Sequence, residues 1–477
     1  MIGRPDRSLT GVSGLVAVAE LDTGLAITAT LDGCIEPIKR RDRGLSAGEL
    51  LTALASCQLA GGDHLVWLDR QRADAAGQRL VAVATPPSTT AAGLARRFGP
   101  AQLAGIETAI GRVNARVLGL LPRVRRSALG RQVTIDIDAT DIEVYGPGKR
   151  GVAYNYQGQR CGRANIAYWA ELGVPVAADL EAGNDDPRSG VVGLLRRALA
   201  SIRAAFPAEI TVSGTAVSGT AGGAGAAEVR VRADAGYFAG DLARECLAQQ
   251  VKFAIGAKRI APLWRCLSGI DDDAWVPAIG MEATDLAVAD YIPDWWPADT
   301  ACIVRRTRLP AEQISADTRT RRRRTVPKDQ LALADAGLCD HVYAYSFILT
   351  DLDTSTPEAL AEAEHWYRHR TDIEALNKDA KIGAALRHLP SGDPLVNTVW
   401  MHAALLACAM SAWLQELTGI DRGNGRGRAT ITRLRHELIC VPGRLIDHAR
   451  RLELRLPPGP QLLPTVLRRL RQLPAPT

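Results

Sequence analysis

The segment Val133-Thr-Ile-Asp-Ile-Asp138 alternates apolar and polar residues, which predicts a strand with one buried face. It constrains the fold more than any other feature, because the chain repeats it with helical segments between. Further strands are expected near 165–169 and 175–180, at 211–217 and at 229–234, with helices at 190–205 and 240–249. The strand at 211–217 runs into a Gly-rich loop beginning at Ser218. Strands and helices in this order predict an α/β domain over residues 126–250.

The flanking regions differ in pattern. Residues 1–125 read as helical after a short strand-like start. Ser46 is an N-cap candidate, Pro86-Pro87-Ser88 breaks the chain, and helices are expected from Thr89–Thr90 to Phe98 and over 105–121. This fits a helix-turn-helix DNA-binding region, and the pattern alone fits a plain helical bundle slightly better. Residues 251–350 read as a β-rich insertion, with strands at 252–255, 286–289, 302–307 and 341–349. Ser355 and Glu358 form a candidate capping box, with Pro357 suited to the first turn. A long helix from Thr356 to about Ala380 and an apolar helix over 395–418 are therefore expected, making 351–420 a second part of the α/β core. Residues 421–477 read as a basic, helical C-terminal region.

Charge narrows the partners only mildly. The net charge is +6 and the pI about 8.9, which permits nucleic-acid binding without demanding it. The distribution says more. Arg305, Arg306, Arg308, Arg319, Arg321, Arg322, Arg323 and Arg324 fall within twenty residues, a candidate phosphate-binding surface. The nine cysteines contain no C-x-x-C pair and their number is odd, which argues against a disulfide framework or a Cys-based zinc site. The N-terminus carries no secretion pattern, and the apolar stretch at 402–413 is too short to span a bilayer. A soluble, cytoplasmic protein is expected, with no membrane partner.

Three places can carry chemistry. Asp136 and Asp138 lie two apart and share one strand face; burying both requires neutralisation, which a divalent metal would supply, whereas a solvated face would not need it. Asp234 ends a strand and precedes a glycine by two positions, as metal ligands and ordinary turns both do. Tyr367, Arg370, Glu374 and Lys381 are 3, 4 and 7 residues apart and stay within roughly 60° of one another around a helix axis. Such a stripe joins a metal-binding carboxylate to phosphate-binding cations, although an exposed Arg–Glu pair would look the same. His365 and His369 have zinc-compatible spacing, but the protease motif's Glu is absent between them. Trp264, Trp275, Trp295 and Trp296 fall in the insertion, where core packing is the ordinary role.

The spacing Tyr367-x2-Arg370-x3-Glu374-x6-Lys381 resembles the Y-(2)-R-(3)-E-(6)-K signature of insertion-sequence DDE transposases. Asp138-x-Thr140 resembles that family's first catalytic Asp, and Arg232-Ala-Asp234-Ala-Gly236-Tyr-Phe its second. With Gly62-Asp63 to Ala73-Asp74, Pro87-Ser-Thr-Thr90 and Arg433-Leu-Arg-His-Glu-Leu, the likeness spans nearly the whole chain and is to insertion-sequence group thirteen-eighty. The resemblance implies an RNase H-like α/β core interrupted by a β-rich insertion. It implies a magnesium-dependent transposase, with manganese a possible substitute, in which Asp138, Asp234 and Glu374 hold two ions and Asp136 is the reserve ligand. It further implies DNA contacts from Tyr367, Arg370 and Lys381. Related transposases stack an inserted aromatic on a flipped base, a role that leaves open which of the four tryptophans, if any, would take it. The expected partners are transposon-end DNA with terminal inverted repeats, target DNA, and a second protomer. A DDE-fold nuclease without strand transfer, and a DNA-binding relative without catalysis, are the alternatives.

Overall fold

The computed structural model describes residues 4–41, 43–206, 228–317, 320–420, 428–448, 451–459 and 461–475. The strand expected at 211–217, its Gly-rich loop and Arg319 lie outside these residues, as does the side chain of Arg321.

The molecule is built on one ten-stranded mixed sheet. Its central strand β1 (Gln132–Glu143) is antiparallel to β2 (Arg160–Trp169), which is antiparallel to β3 (Val174–Ala182). On its other side β1 is parallel to β4 (Glu228–Ala233), and β4 to β5 (Lys252–Ala257). The order is therefore β3-β2-β1-β4-β5. Val133, Ile135 and Ile137 of β1 are fully buried on one face, as the alternation predicts.

The segment 251–350 does not form a sheet of its own. Its strands β6 (Thr284–Ala289), β7 (Ala301–Pro310) and β8 (His341–Thr350) continue the same sheet outward from β5 in the order β5-β8-β7-β6, all antiparallel. Unpaired strand edges recruit partners, and β5 offers β8 such an edge.

Helices cover the sheet. Ser46 caps α1 (Ala47–Leu59) in a reciprocal capping box with Glu49. α2 (Pro100–Leu120) packs on α3 (Pro187–Ala205), and both lie against β3. α4 (Gly240–Ala248) lies between β4 and β5 in the chain and packs on β5. The expected long helix begins one residue later than its proposed cap. Thr356, not Ser355, accepts from the Ala359 N–H, while the Ser355 hydroxyl bonds Asp353. It is also tightened in the middle: α5 (Pro357–Arg368) passes through a 3₁₀ turn, His369–Thr371, into α6 (Asp372–Ile382). α7 (Pro394–Thr418) is long and apolar enough to cross a membrane, but 89% of its apolar window is buried within the protein, against α1, α2 and β3. One hydrophobic cluster runs from Leu15 to Leu470, so the terminal regions share the core.

The C-terminal region is not simply helical. Gly443–His448 and Arg451–Arg455 form an antiparallel pair, and Leu9–Thr10 adds a third strand. Leu452 and Leu454 alternate with charged neighbours, a period of two that no helix would use. The helix Leu463–Leu470 follows and packs on α7.

Candidate active site

The register of β1 with β4 sets the site. Asp136 pairs with Arg232 and Ile137 with Ala233, so Asp138 and Asp234 occupy the next rung, just past the paired residues of two parallel neighbours. Asp136 and Asp138, two of the three aspartates of β1, then meet opposite fates. Asp136 is fully buried, and Arg232 grips both its oxygens, at 2.6 and 2.8 Å. Arg232 is itself held by the Trp366 carbonyl and lies 5.1 Å from that indole ring. Burial pushes the Asp136 carboxyl up and Arg232 opposes it. With both oxygens committed, Asp136 has no free lone pair facing an open space.

Asp138 keeps one. Its Oδ2 accepts from Asn377 Nδ2 at 2.8 Å, and its Oδ1 lies 3.7 Å from the Arg370 guanidinium. Burial, then the charge of Asp234, push this carboxyl up to about 6. Asp234 caps the short 3₁₀ turn that follows β4, accepting from the Gly236 N–H at 2.8 Å. Glu374 lies in the first turn of α6 and is exposed, where the helix dipole favours a negative charge. A cavity of about 270 Å³ is lined by Asp138, Thr140, Glu374, Asn377, Lys378 and Lys381. The buried Oδ1 of Asn377 has no hydrogen-bond partner among the described residues, although the same amide's Nδ2 holds Asp138. Sequence reasoning missed Asn377, although it stands three residues after Glu374 on the same helical stripe.

The other stripe residues turn inward. The Tyr367 hydroxyl donates to the Ala233 carbonyl at 3.3 Å and packs where a Gly256 side chain would stand. It thereby braces the strand end that presents Asp234. Burial lowers the Arg370 guanidinium, but Tyr367, Asp234 and Asp138 together outweigh this and hold it charged. Lys381 Nζ donates to the Asp141 carbonyl at 2.7 Å. Behind Asp234, the buried Tyr237 hydroxyl donates to Asn165 at 3.0 Å, and Asn165 donates to Glu181 at 2.6 Å.

The remaining candidates lie elsewhere. Arg305 pairs with buried Glu364 at 2.7 Å, and Arg306 pairs with Asp285 at 3.0 Å beneath the Trp275 ring. Arg322 and Arg323 pair with Asp317 and Asp335 at 3.4 and 2.5 Å, whereas Arg324 is exposed. His369 bonds the His365 carbonyl at 2.7 Å and the two rings meet edge to face. Trp264 packs on Tyr345 and Phe347, and buried Trp296 packs on Phe238 and Phe253. Trp295, on the connection between β6 and β7, is half-exposed and packs on Phe238, which follows the turn after Asp234. Among the described residues, the cluster whose ligand atoms all lie within 4.8 Å of one another is Asp63, His64 and His388, away from the acidic site. Arg387 already bonds Asp63 there at 2.8 Å.

A chain in the cryo-EM structure of a piggyBac transposase synaptic complex with hairpin DNA is similar at 10% identity, over 88% of this chain and 79% of that chain, with a TM-score of 0.37. No curated protein matches the chain. The model of the transposase DDE domain group 1 family matches residues 6–475. With the match running almost end to end, the chain belongs to the transposase DDE domain group 1 family.

Proposed function

We propose that the protein is a DNA transposase that cleaves transposon ends and joins the freed 3′-OH to target DNA, with an RNase H-like core carrying the chemistry. The strand order β3-β2-β1-β4-β5, three antiparallel and two parallel, supports the core assignment. The observation that carries the reaction is the placement of Asp138 and Asp234 on one rung, with the Glu374 helix closing the same cavity.

Asp138 and Glu374 line the cavity with the unpartnered Asn377 oxygen, and Asp234 stands at the end of the neighbouring strand. The three carboxylates are not drawn within 4.8 Å of one another, but their hard oxygens suit magnesium or manganese better than a softer metal. Asp138, Asp234 and Glu374 would hold the ions. Bound there, divalent ions would lower the pKa of the attacking hydroxyl and offset charge developing on the phosphate. Desolvation raises the half-buried Asp138 carboxyl first and the charge of Asp234 second, against Arg370 and Asn377. Asp136 is a structural anion, assigned to hold Arg232 rather than a metal.

Arg370 is the residue set to change partner. Neutralised carboxylates would release its guanidinium to a phosphate oxygen, for which its planar fork is suited. Lys381 holds the β1 end through Asp141 while its charge faces the cavity. Tyr367 positions Asp234 and does not reach outward. Two protomers would act together, since two transposon ends must be paired.

The test uses the full chain with a duplex carrying the element's terminal repeat. Wild type should nick it in Mg²⁺ and yield joined products with target DNA, and Glu374→Ala should do neither. Nicks without joined products would make it a nuclease; DNA binding without nicks would leave a non-catalytic relative.

A further inference from the structure

Beyond the acidic cavity, the connection between β1 and β2 presents three tyrosines. Tyr145, Tyr154 and Tyr156 are 85%, 66% and 87% exposed, the most exposed aromatic residues among those described. They are three of the chain's nine tyrosines, within twelve residues, so scattered surface rings do not account for them.

The connection that carries them is a built structure. Asn155 is buried; its Oδ1 accepts from the Gln157 and Gln159 N–H groups at 2.9 and 3.0 Å, and its Nδ2 donates to Asp141 at 2.8 Å. Gly158 turns the chain at φ +76°. The Arg160 guanidinium gathers the carbonyls of Gly146, Pro147 and Lys149 from the opposite arm. Lys149 and Arg150 tie the loop to Leu389 and Gly392, in the segment that follows the Glu374 helix. The Tyr145 hydroxyl is fixed by Glu143 at 2.8 Å. Tyr145 lies seven residues beyond Asp138 and two past the end of β1, so the chain can carry it at most about 23 Å from Asp138.

Charge selects the occupant. The loop's arms carry Lys149, Arg150 and Arg160 against Glu143. Arg150 pairs with Asp393 at 3.4 Å, whereas Lys149 and Arg160 bond only neutral carbonyls and are left without a carboxylate among the described residues. Exposed planar rings beside uncompensated cations suit bases that stack and phosphates that follow them, as in single-strand binding. Paired bases offer no free face to such rings.

We propose that the connection between β1 and β2 is a stacking platform for unpaired DNA, holding a single-stranded segment of the strand that passes through the cavity. It rests on the transposase reading for the position of the DNA. The experiment compares binding of two labelled DNAs, a blunt duplex and the same duplex with a ten-nucleotide single-stranded flank, in EDTA. The wild-type chain should prefer the flanked DNA. The Tyr145→Ala/Tyr154→Ala/Tyr156→Ala variant should lose about tenfold or more of its affinity for that DNA and none for the duplex, and the triple Phe variant should keep it. Equal affinity of the Ala variant and wild type for flanked DNA would overturn the proposal. So would an equal loss on both DNAs, or a changed oligomeric state by light scattering, which would make the surface a protein contact. Nicking is read separately in Mg²⁺: no nicking by wild type with the flank preference intact would fail the transposase reading and leave the platform standing.

Discussion

Asp136 and Asp138 sit two residues apart on one strand face, and the structure treats them as different objects. Asp136 is sealed against Arg232, its partner across the parallel ladder. Asp138, two residues further, faces another acid instead of a base and opens on a cavity. A buried carboxylate with a fitted guanidinium is structure. A buried carboxylate set against a second carboxylate is an invitation to a cation. The difference is one residue on the neighbouring strand: Arg at 232, Asp at 234.

The largest effects should break this comparison directly. Asp138→Asn, Asp234→Asn and Glu374→Ala should each lower Mg²⁺-dependent nicking by about a thousandfold or more, with circular dichroism unchanged. Asp136→Asn should instead cost about 3–5 kcal/mol of unfolding free energy, because Arg232 would be left buried and unpaired. Denaturant titration separates the two. Equal destabilisation by Asp136→Asn and Asp138→Asn would remove the distinction.

The next effect depends on pH. The Asp138 carboxyl stands at about 6 in the fold against an unfolded value of 3.8. The protonated form is therefore favoured on folding. The native state carries no penalty below the unfolded value, and the penalty grows as pH rises to the folded value. Above that it is complete, at about 3 kcal/mol for a shift of this size. In EDTA, Asp138→Asn should thus be more stable than wild type at pH 7, and the difference should vanish near pH 4. Mg²⁺ should raise the wild-type Tm at pH 7, lose that effect as protons compete below about pH 6, and leave Asp138→Asn unmoved. An Asn variant with no stability gain at pH 7 would show that neither burial nor Asp234 holds the Asp138 carboxyl up.

Much of this was legible in advance, for identifiable reasons. Strands β1 and β4 announce themselves by period-two alternation, and α1 by its Ser46–Glu49 capping box. The polar stripe was legible as spacing, because helical periodicity is local. What Tyr367 and Arg370 touch was not, since their partners Ala233 and Asp138 are 134 and 232 residues away. The same holds for Arg232, whose partner follows from strand register. The continuation of the sheet through β8, β7 and β6 escaped notice because edge pairing leaves no local mark. The 3₁₀ turn at His369–Thr371 did too, because its residues are as compatible with an α-helix.

The comparison between paired and open charges extends to the arginine run, where the effects should be smallest. As a sequence it reads as one phosphate-binding patch. In the fold Arg323 is tied to Asp335 and the Ile314 carbonyl, and Arg322 to Asp317, while no ion pair among the described residues involves Arg324. A cation already neutralised by a carboxylate releases few counterions when DNA arrives. Arg324→Ala should therefore weaken DNA binding by about two- to threefold and reduce the slope of log affinity against log salt by about 1. Arg323→Ala should leave that slope unchanged and barely change stability, as for exposed ion pairs. A salt titration of the two variants decides it. If Arg323→Ala flattens the slope as much as Arg324→Ala does, the Asp335 pair opens on binding, and the whole run belongs to the DNA surface.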